Sequence, residues 1–282
     1  MKKVILLIGG CLMIAGIALF IFVAFVANYD FMELGSMNYV TNNHDIQESF
    51  ESISINTVTA DVEIKPSADG QCHVVCHEKE KLIHKVSVKN GTLTISLVDE
   101  RNWLDHIKGS MFNFGTTLIT VYLPEGAYDE LKVDNTTGHV KLAGEWQLDE
   151  LDLQTTTGDI CVDGVTCDGA VFLHVTTGMI SLENLICENL TANGSTGDAV
   201  LKNVIVSDTL RVKRTTGDIK LNRCDAGEVY INATTGDVTG SFLTPKVIYA
   251  KSTTGDVDVP RSTTGGRCEI DVTTGDIRIK IG

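Results

Sequence analysis

Thr-Thr-Gly recurs through the C-terminal half of this chain at a fixed interval, and that interval limits the fold more than any other feature. Its glycines are Gly138, Gly158, Gly178, Gly197, Gly217, Gly236, Gly255 and Gly275, with Ser195 replacing the first threonine before Gly197. Successive gaps are 20, 20, 19, 20, 19, 19 and 20 residues, and Gly265 is an extra copy between the last two. A constant period near 20 is the pattern of a solenoid, in which each repeat buries its apolar side only against its neighbours.

The apolar residues keep the same phase. Seven and five residues before each glycine stand pairs such as Leu151/Leu153, Leu210/Val212 and Ile248/Ala250. Two and four residues after it stand Ile160/Val162, Ile219/Leu221 and Val257/Val259. A spacing of two is strand periodicity. A third column follows at plus seven with Val165, Leu185, Val204, Cys224 and Leu243, and Gly164, Asn184 or Asn203 before it supplies a second bend. The spacing therefore predicts an all-β solenoid of about eight coils over 131–282, roughly 40 Å long at about 4.8 Å per coil. Scarce proline (4) and abundant glycine (26) suit short strands and tight turns.

Residues 50–130 form an N-terminal section. Ile53, Ile55, Val62 and Ile64 flank Thr59-Ala60-Asp61 at the repeat's spacing, with Ala60 in the glycine slot. The period then lapses over 71–123. Val86 to Leu97 reads as a hairpin around Asn90-Gly91, a polar stretch with Trp103 and Met111 follows, and Leu118–Leu123 reads as a strand. This section is expected to cap the solenoid, since an open end would expose unpaired strands.

The other end of the chain bears on location. After a three-residue tail ending in Lys2 and Lys3, residues 4–27 carry no charge. Twenty-four residues make roughly 36 Å of helix, enough to cross a bilayer. Residues 28–49 are a linker without Lys or Arg, so the charge bias places everything after residue 27 outside the cytoplasm. An uncleaved signal-anchor is the expectation, with a cleaved signal peptide or lipidation at Cys11 as alternatives. The net charge of −14 argues against nucleic acid as a partner.

Three groups of residues invite a site. The first is the acid after each bend glycine: Asp159, Asp198, Asp218, Asp237, Asp256 and Asp276, interrupted by His139 and Met179. These side chains are expected to cap backbone N–H groups at the bend. Calcium is the competing reading, because a cation midway between stacked carboxylates would lie roughly 2.4 Å from each. The second is Cys72-His73-Val74-Val75-Cys76-His77. Its spacing is not that of haem attachment, and on a strand His73 and His77 stand roughly 13 Å apart, too far to share a metal. Inward cysteines and outward histidines are expected, with no cofactor. The third is the seven cysteines beyond Cys11, an odd number with irregular spacing. Cys161, Cys224 and Cys268 read as core or strand fillers, and only Cys167 and Cys187 fall one repeat apart. No nucleophile with a placed histidine and no carboxylate pair stands out, so no catalytic residue is assigned.

An N-terminal helix, an Ile-x-Ile pair, a strand ending in Leu123-Pro124-Glu125-Gly126 and the repeated Thr-Thr-Gly-Asp motif together resemble the bacterial DUF4097 family over about residues 50–282. Members carry an adhesin label, and some relatives sit in cell-envelope stress operons. The resemblance implies a β-solenoid outside the membrane and transfers no catalytic residue. It implies a non-enzymatic, membrane-tethered scaffold touching an envelope polymer or another membrane protein. Its alternative implication is a regulatory accessory of an envelope stress sensor.

Overall fold

The computed structural model describes Gly9 and residues 13–19, 39–100 and 117–282. The chain divides into two compact units. The first comprises Met1–Tyr39 and Arg101–Gly115. Within it residues 13–19 are helical, with Met13, Ile14, Ile17 and Leu19 exposed. No helix among the described residues is long and apolar enough to cross a membrane. Most of the expected 4–27 span lies outside the described residues, as do Trp103 and Met111.

The second unit, Val40–Glu100 with Thr116–Gly282, is all-β, a solenoid-like stack of about eight turns. Its regular part runs β8 (Ala127–Thr137), β9 (Val140–Thr157), β10 (Ile160–Thr177), β11 (Ile180–Thr196), β12 (Ala199–Thr216) and β13 (Ile219–Thr235). Each pairs in parallel with the next, one repeat out of step, so like positions stack. The column Val140, Ile160, Ile180, Ala199, Ile219 and Val238 is fully buried, 0% exposed at every member. Burying a Val or Ile side chain contributes about 1.5–3 kcal/mol, so each coil holds its neighbour by several such contacts.

The bend glycines are required on two counts. Gly217 has φ +136°, a region that side-chain-bearing residues rarely adopt. A Cβ there would also lie 2.5 Å from the Gly197 carbonyl carbon. Gly158, Gly178, Gly197 and Gly236 sit against the preceding bend in the same way. The first coil is the exception: Ala60 takes the glycine slot, and Gly138 packs on its carbonyl. At the second bend Gly144 and Gly164 have positive φ, as do Asn184, Asn203 and Arg223. Asn203 donates to Asn184, and Asn184 to Asp163, at 3.1 and 2.9 Å.

Both ends depart from simple succession. At the C-terminal end follow β14 (Val238–Phe242), β15 (Lys246–Thr254), β16 (Val257–Asp258), β17 (Gly266–Thr274) and β18 (Ile277–Ile281). Here β17 pairs with both β13 and β15, and β18 with both β14 and β16. The last coil in sequence therefore lies between its two predecessors, and the turn around Gly265 carries the chain back. This corrects the expected order and explains why Val257 is 43% exposed rather than in the core: its coil is outermost. Leu243 is also corrected. It is 38% exposed, and Phe242, the register partner of Cys224, fills the column one residue early.

At the other end β1 (Tyr39–Ile46), β2 (Ser52–Thr59), β3 (Asp61–Pro66), β4 (Cys72–Lys79), β5 (Leu82–Lys89), β6 (Thr92–Asp99) and β7 (Leu118–Leu123) make up the N-terminal cap section. Strand β2 lies between β6 and β8, and β3 between β7 and β9. Beyond them pairing turns antiparallel, β5 on β6 through the Asn90-Gly91 turn and β4 on β7. The expected linker 28–49 is corrected over 39–46, which forms β1 and pairs with β4.

Replacing Gly217 by alanine should cost about 1–3 kcal/mol for the backbone region alone, with the collision added. Gly126 has open space and no positive φ, so Gly126→Ala is the control. Thermal unfolding should show a fall of at least about 5 °C for Gly217→Ala and little change for Gly126→Ala. Equal melting points would contradict the close stacking of bends.

Candidate functional site

The bend acids form a hydrogen-bonded ladder, broken once at Met179. Each carboxylate reaches one coil along and accepts the backbone N–H of the residue in its own column. Asp159 accepts from Met179 at 2.8 Å, Asp198 from Asp218 at 2.9 Å, Asp218 from Asp237 at 3.0 Å, Asp237 from Asp276 at 2.8 Å, and Asp276 from Asp256 at 2.8 Å. Asp61 begins it by accepting from His139, and His139 Nδ1 accepts from Asp159 at 3.1 Å. So Asp61 belongs to the column, and His139 performs the acid's task. Met179 has no such acceptor to offer.

This arrangement commits one oxygen of each linking acid to the backbone. Between Asp198 and Asp218 the Lys220 ammonium lies 3.1 and 3.2 Å from their outer oxygens, where a bridging cation would sit. The Asp218 N–H is the main cause holding the Asp198 carboxyl below its usual range. In front of the ladder runs a row of threonines: Thr137, Thr157, Thr177, Thr196, Thr216, Thr235, Thr274 and Thr254 are consecutive register partners. All eight are exposed. Their hydroxyls repeat at the inter-coil spacing of about 4.8 Å.

The Cys72–His77 segment lies on β4. Cys72 and Cys76 are buried and His73 and His77 are not, as the alternation requires. Burial pushes both thiols up to about 12. His73 is held between Asp45 at 2.7 Å and Asp69 at 2.9 Å, and these carboxylates raise its pKa. It lines a groove of about 390 Å³ with His44, Asp45, Asp69 and Tyr122. Cys167 and Cys187 are direct register partners. Cys224 and Cys268 are buried, and Cys161 is half-buried.

Two buried polar groups are not evident from the repeat. Arg214 is 1% exposed and stands in the inward column beside its partner Gly194, whose missing side chain makes room for it. Its Nη2 donates to the Asp198 carbonyl at 3.1 Å, while Nε and Nη1 have no partner among the described residues. The second group is Glu78 with His84. Glu78 is fully buried and accepts from Asn42 Nδ2, from the His84 N–H and at His84 Nδ1, each at 2.7 Å. His84 Nε2 lies 2.9 Å from the Thr57 hydroxyl. Hydroxyl, imidazole and carboxylate follow one another as in an acyl-transfer triad, but Thr57 is 3% exposed and faces the core. The signal that could have found Glu78 is its place two residues beyond Cys76, on the inward side of β4.

The ladder makes the bend acids replaceable by any side chain with an equivalent acceptor. Asp237→Asn should shift stability by less than about 0.5 kcal/mol, whereas Asp237→Ala, which strips the Asp276 N–H of its partner, should cost about 1 kcal/mol. Thermal unfolding in EDTA and in millimolar calcium should superpose. A calcium-dependent rise in Tm that Asp237→Asn abolishes would instead make the column a metal ladder.

Among solved structures the fold is similar to a candidate adhesin from Bacteroides fragilis, with a TM-score of 0.50 and 14% identity over 88% of this chain and 98% of that one. A candidate adhesin from Parabacteroides distasonis shares 12% identity at a TM-score of 0.48, covering 87% and 98%. A candidate lipid-binding protein from the same organism shares 16% at 0.41, over the same fractions. No curated protein matches the chain. Residues 50–282 match the family described as Toastrack DUF4097. That match takes in β2 to β7, the repeats and the inserted last coil, and the chain belongs to the Toastrack DUF4097 family.

Proposed function

We propose that this chain is a membrane-anchored, extracytoplasmic and non-enzymatic scaffold of the adhesin type. It presents its threonine row to an envelope polymer. The observation that carries the reading is the row itself: eight exposed threonines in unbroken register, backed by a ladder of acids. A repeating polymer such as a glycan has hydroxyls to match a periodic row of donors and acceptors. Each contact is weak, so affinity would grow with the number of coils engaged. Among the described residues, buried or half-buried cysteine thiols, a core-facing Thr57 and a doubly held His73 leave none of these groups poised as a nucleophile or base.

Anchoring rests on the uncharged stretch 4–27, within which residues 13–19 are helical and exposed, and on Lys2 and Lys3 before it. Protease added to intact protoplasts should digest the chain beyond residue 50; a protected C-terminus would reverse the orientation.

The contact surface is tested by Thr157→Val, Thr177→Val, Thr196→Val and Thr216→Val together. Valine keeps the β-branched shape and removes the hydroxyl. Co-sedimentation with purified cell-wall polysaccharide should weaken at least about tenfold, the equivalent of about 1.4 kcal/mol, while the melting point stays within a few degrees. Unchanged sedimentation would remove the row from the interaction.

A further inference from the structure

We propose that Cys76, Glu78 and His84 form a buried site for a divalent metal of the zinc type. The three residues are all buried, and one donor atom from each lies within 4.8 Å of the others. Thiolate, carboxylate and imidazole are each ligands that zinc accepts, at metal–ligand distances of about 2.0–2.3 Å and tetrahedral angles. Such a centre needs its donor atoms about 3.3–3.7 Å apart. The Nδ1–Oε2 separation, now 2.7 Å, would open by about half an ångström and the thiol would close in.

The backbone brings these donors together. Cys76 and Glu78 are alternate inward residues of β4. Strands β4 and β5 pair only at Lys79 and Leu82, after which β4 joins β7 and β5 joins β6. The hairpin opens like a wedge, and His84 faces the two β4 donors across the gap.

The far atoms of two donors are already held. Asn42 fixes Glu78 Oε1, which leaves Oε2 toward the cluster. Thr57 fixes His84 Nε2, which leaves Nδ1 toward the cluster. Orienting partners of this kind set the tautomer and angle of a metal ligand. Cys76 is a free, buried cysteine, so no disulfide has to be broken for its sulfur to bind a metal. Thiolate, carboxylate and a divalent cation sum to zero charge, which suits a dry position. Binding releases the thiol proton and moves the imidazole proton from Nδ1 to Nε2, where it can be donated to Thr57. A water would complete the four-coordinate sphere. The site would tie β4 and β5 together and, through Asn42 and Thr57, engage β1 and β2.

Because the site is buried, the full chain is refolded from denaturant with one equivalent of cobalt(II) or zinc. Cobalt should give a sulfur-to-metal charge-transfer band and the visible bands of a tetrahedral centre, saturating at one equivalent. Cys76→Ser should lose the sulfur band, and Cys72→Ser should keep it. Zinc at a hundredfold excess over its Kd should raise the wild-type Tm by about 5–10 °C. Should Cys76→Ser fail to fold, alkylation of the wild-type protein decides: zinc should slow modification of Cys76 and leave Cys268 unaffected. No sulfur band, no zinc protection of Cys76, or zinc retained equally by Cys76→Ser would each overturn the site.

Discussion

The contact on which the rest of this fold depends is that of one bend glycine with the carbonyl of the glycine in the neighbouring coil. A parallel stack can keep strands at hydrogen-bonding distance only if its corners also approach that closely. At Gly158, Gly178, Gly197, Gly217 and Gly236 the corners do so, with no space for a Cβ. Once the corners stack, backbone N–H and C=O groups pair around the coil: Gly217 N–H donates to the Thr235 carbonyl and Ile219 N–H to the Asp237 carbonyl, at 2.9 and 2.8 Å. The side chain of each bend acid then finds the next N–H in reach. The aspartate ladder is thus a consequence of the glycine contact and reinforces it.

The same contact explains how much of the fold was legible in the sequence. The phase of Thr-Thr-Gly and of the Ile219 and Ile231 columns is set by the stack, because a slip of one residue would turn every apolar side chain outward. The order of the last two coils was not legible. Parallel in-register stacking offers the segments holding Gly255 and Gly275 nearly identical partners, and only the return turn at Gly265 distinguishes them. Phe242 was missed because a bend can absorb one residue: the register shifts by one between the pairs Leu221–Gly240 and Cys224–Phe242, beside Gly240 with its φ of +150°.

Of the candidate site, the acid column was readable because a repeat displays its corners in sequence. Arg214 was not, since its place in the core depends on the void over Gly194, a residue of another coil. Glu78 and His84 were hidden for a related reason. They lie in the cap, where the period fails, and meet only because β4 and β5 part company. Buried polar groups of this sort must find their partners inside. Glu78 finds three donors, whereas Arg214 finds one carbonyl. The repeat supplies a surface whose periodicity suits a repeating ligand, and the cap supplies irregular chemistry.

The register of the stack, including the inserted last coil, can be read by cross-linking pairs of threonines replaced with cysteine and locating the bonds by peptide mapping. Thr235 and Thr274 are direct partners, as are Thr274 and Thr254, whereas Thr235 and Thr254 stand two coils apart. Neighbouring coils hold Cα atoms about 4.8 Å apart, inside disulfide range, and alternate coils about 9.6 Å, outside it. The first two pairs should cross-link under mild oxidation and the third should stay reduced. A cross-link between positions 235 and 254, with none between 235 and 274, would contradict it.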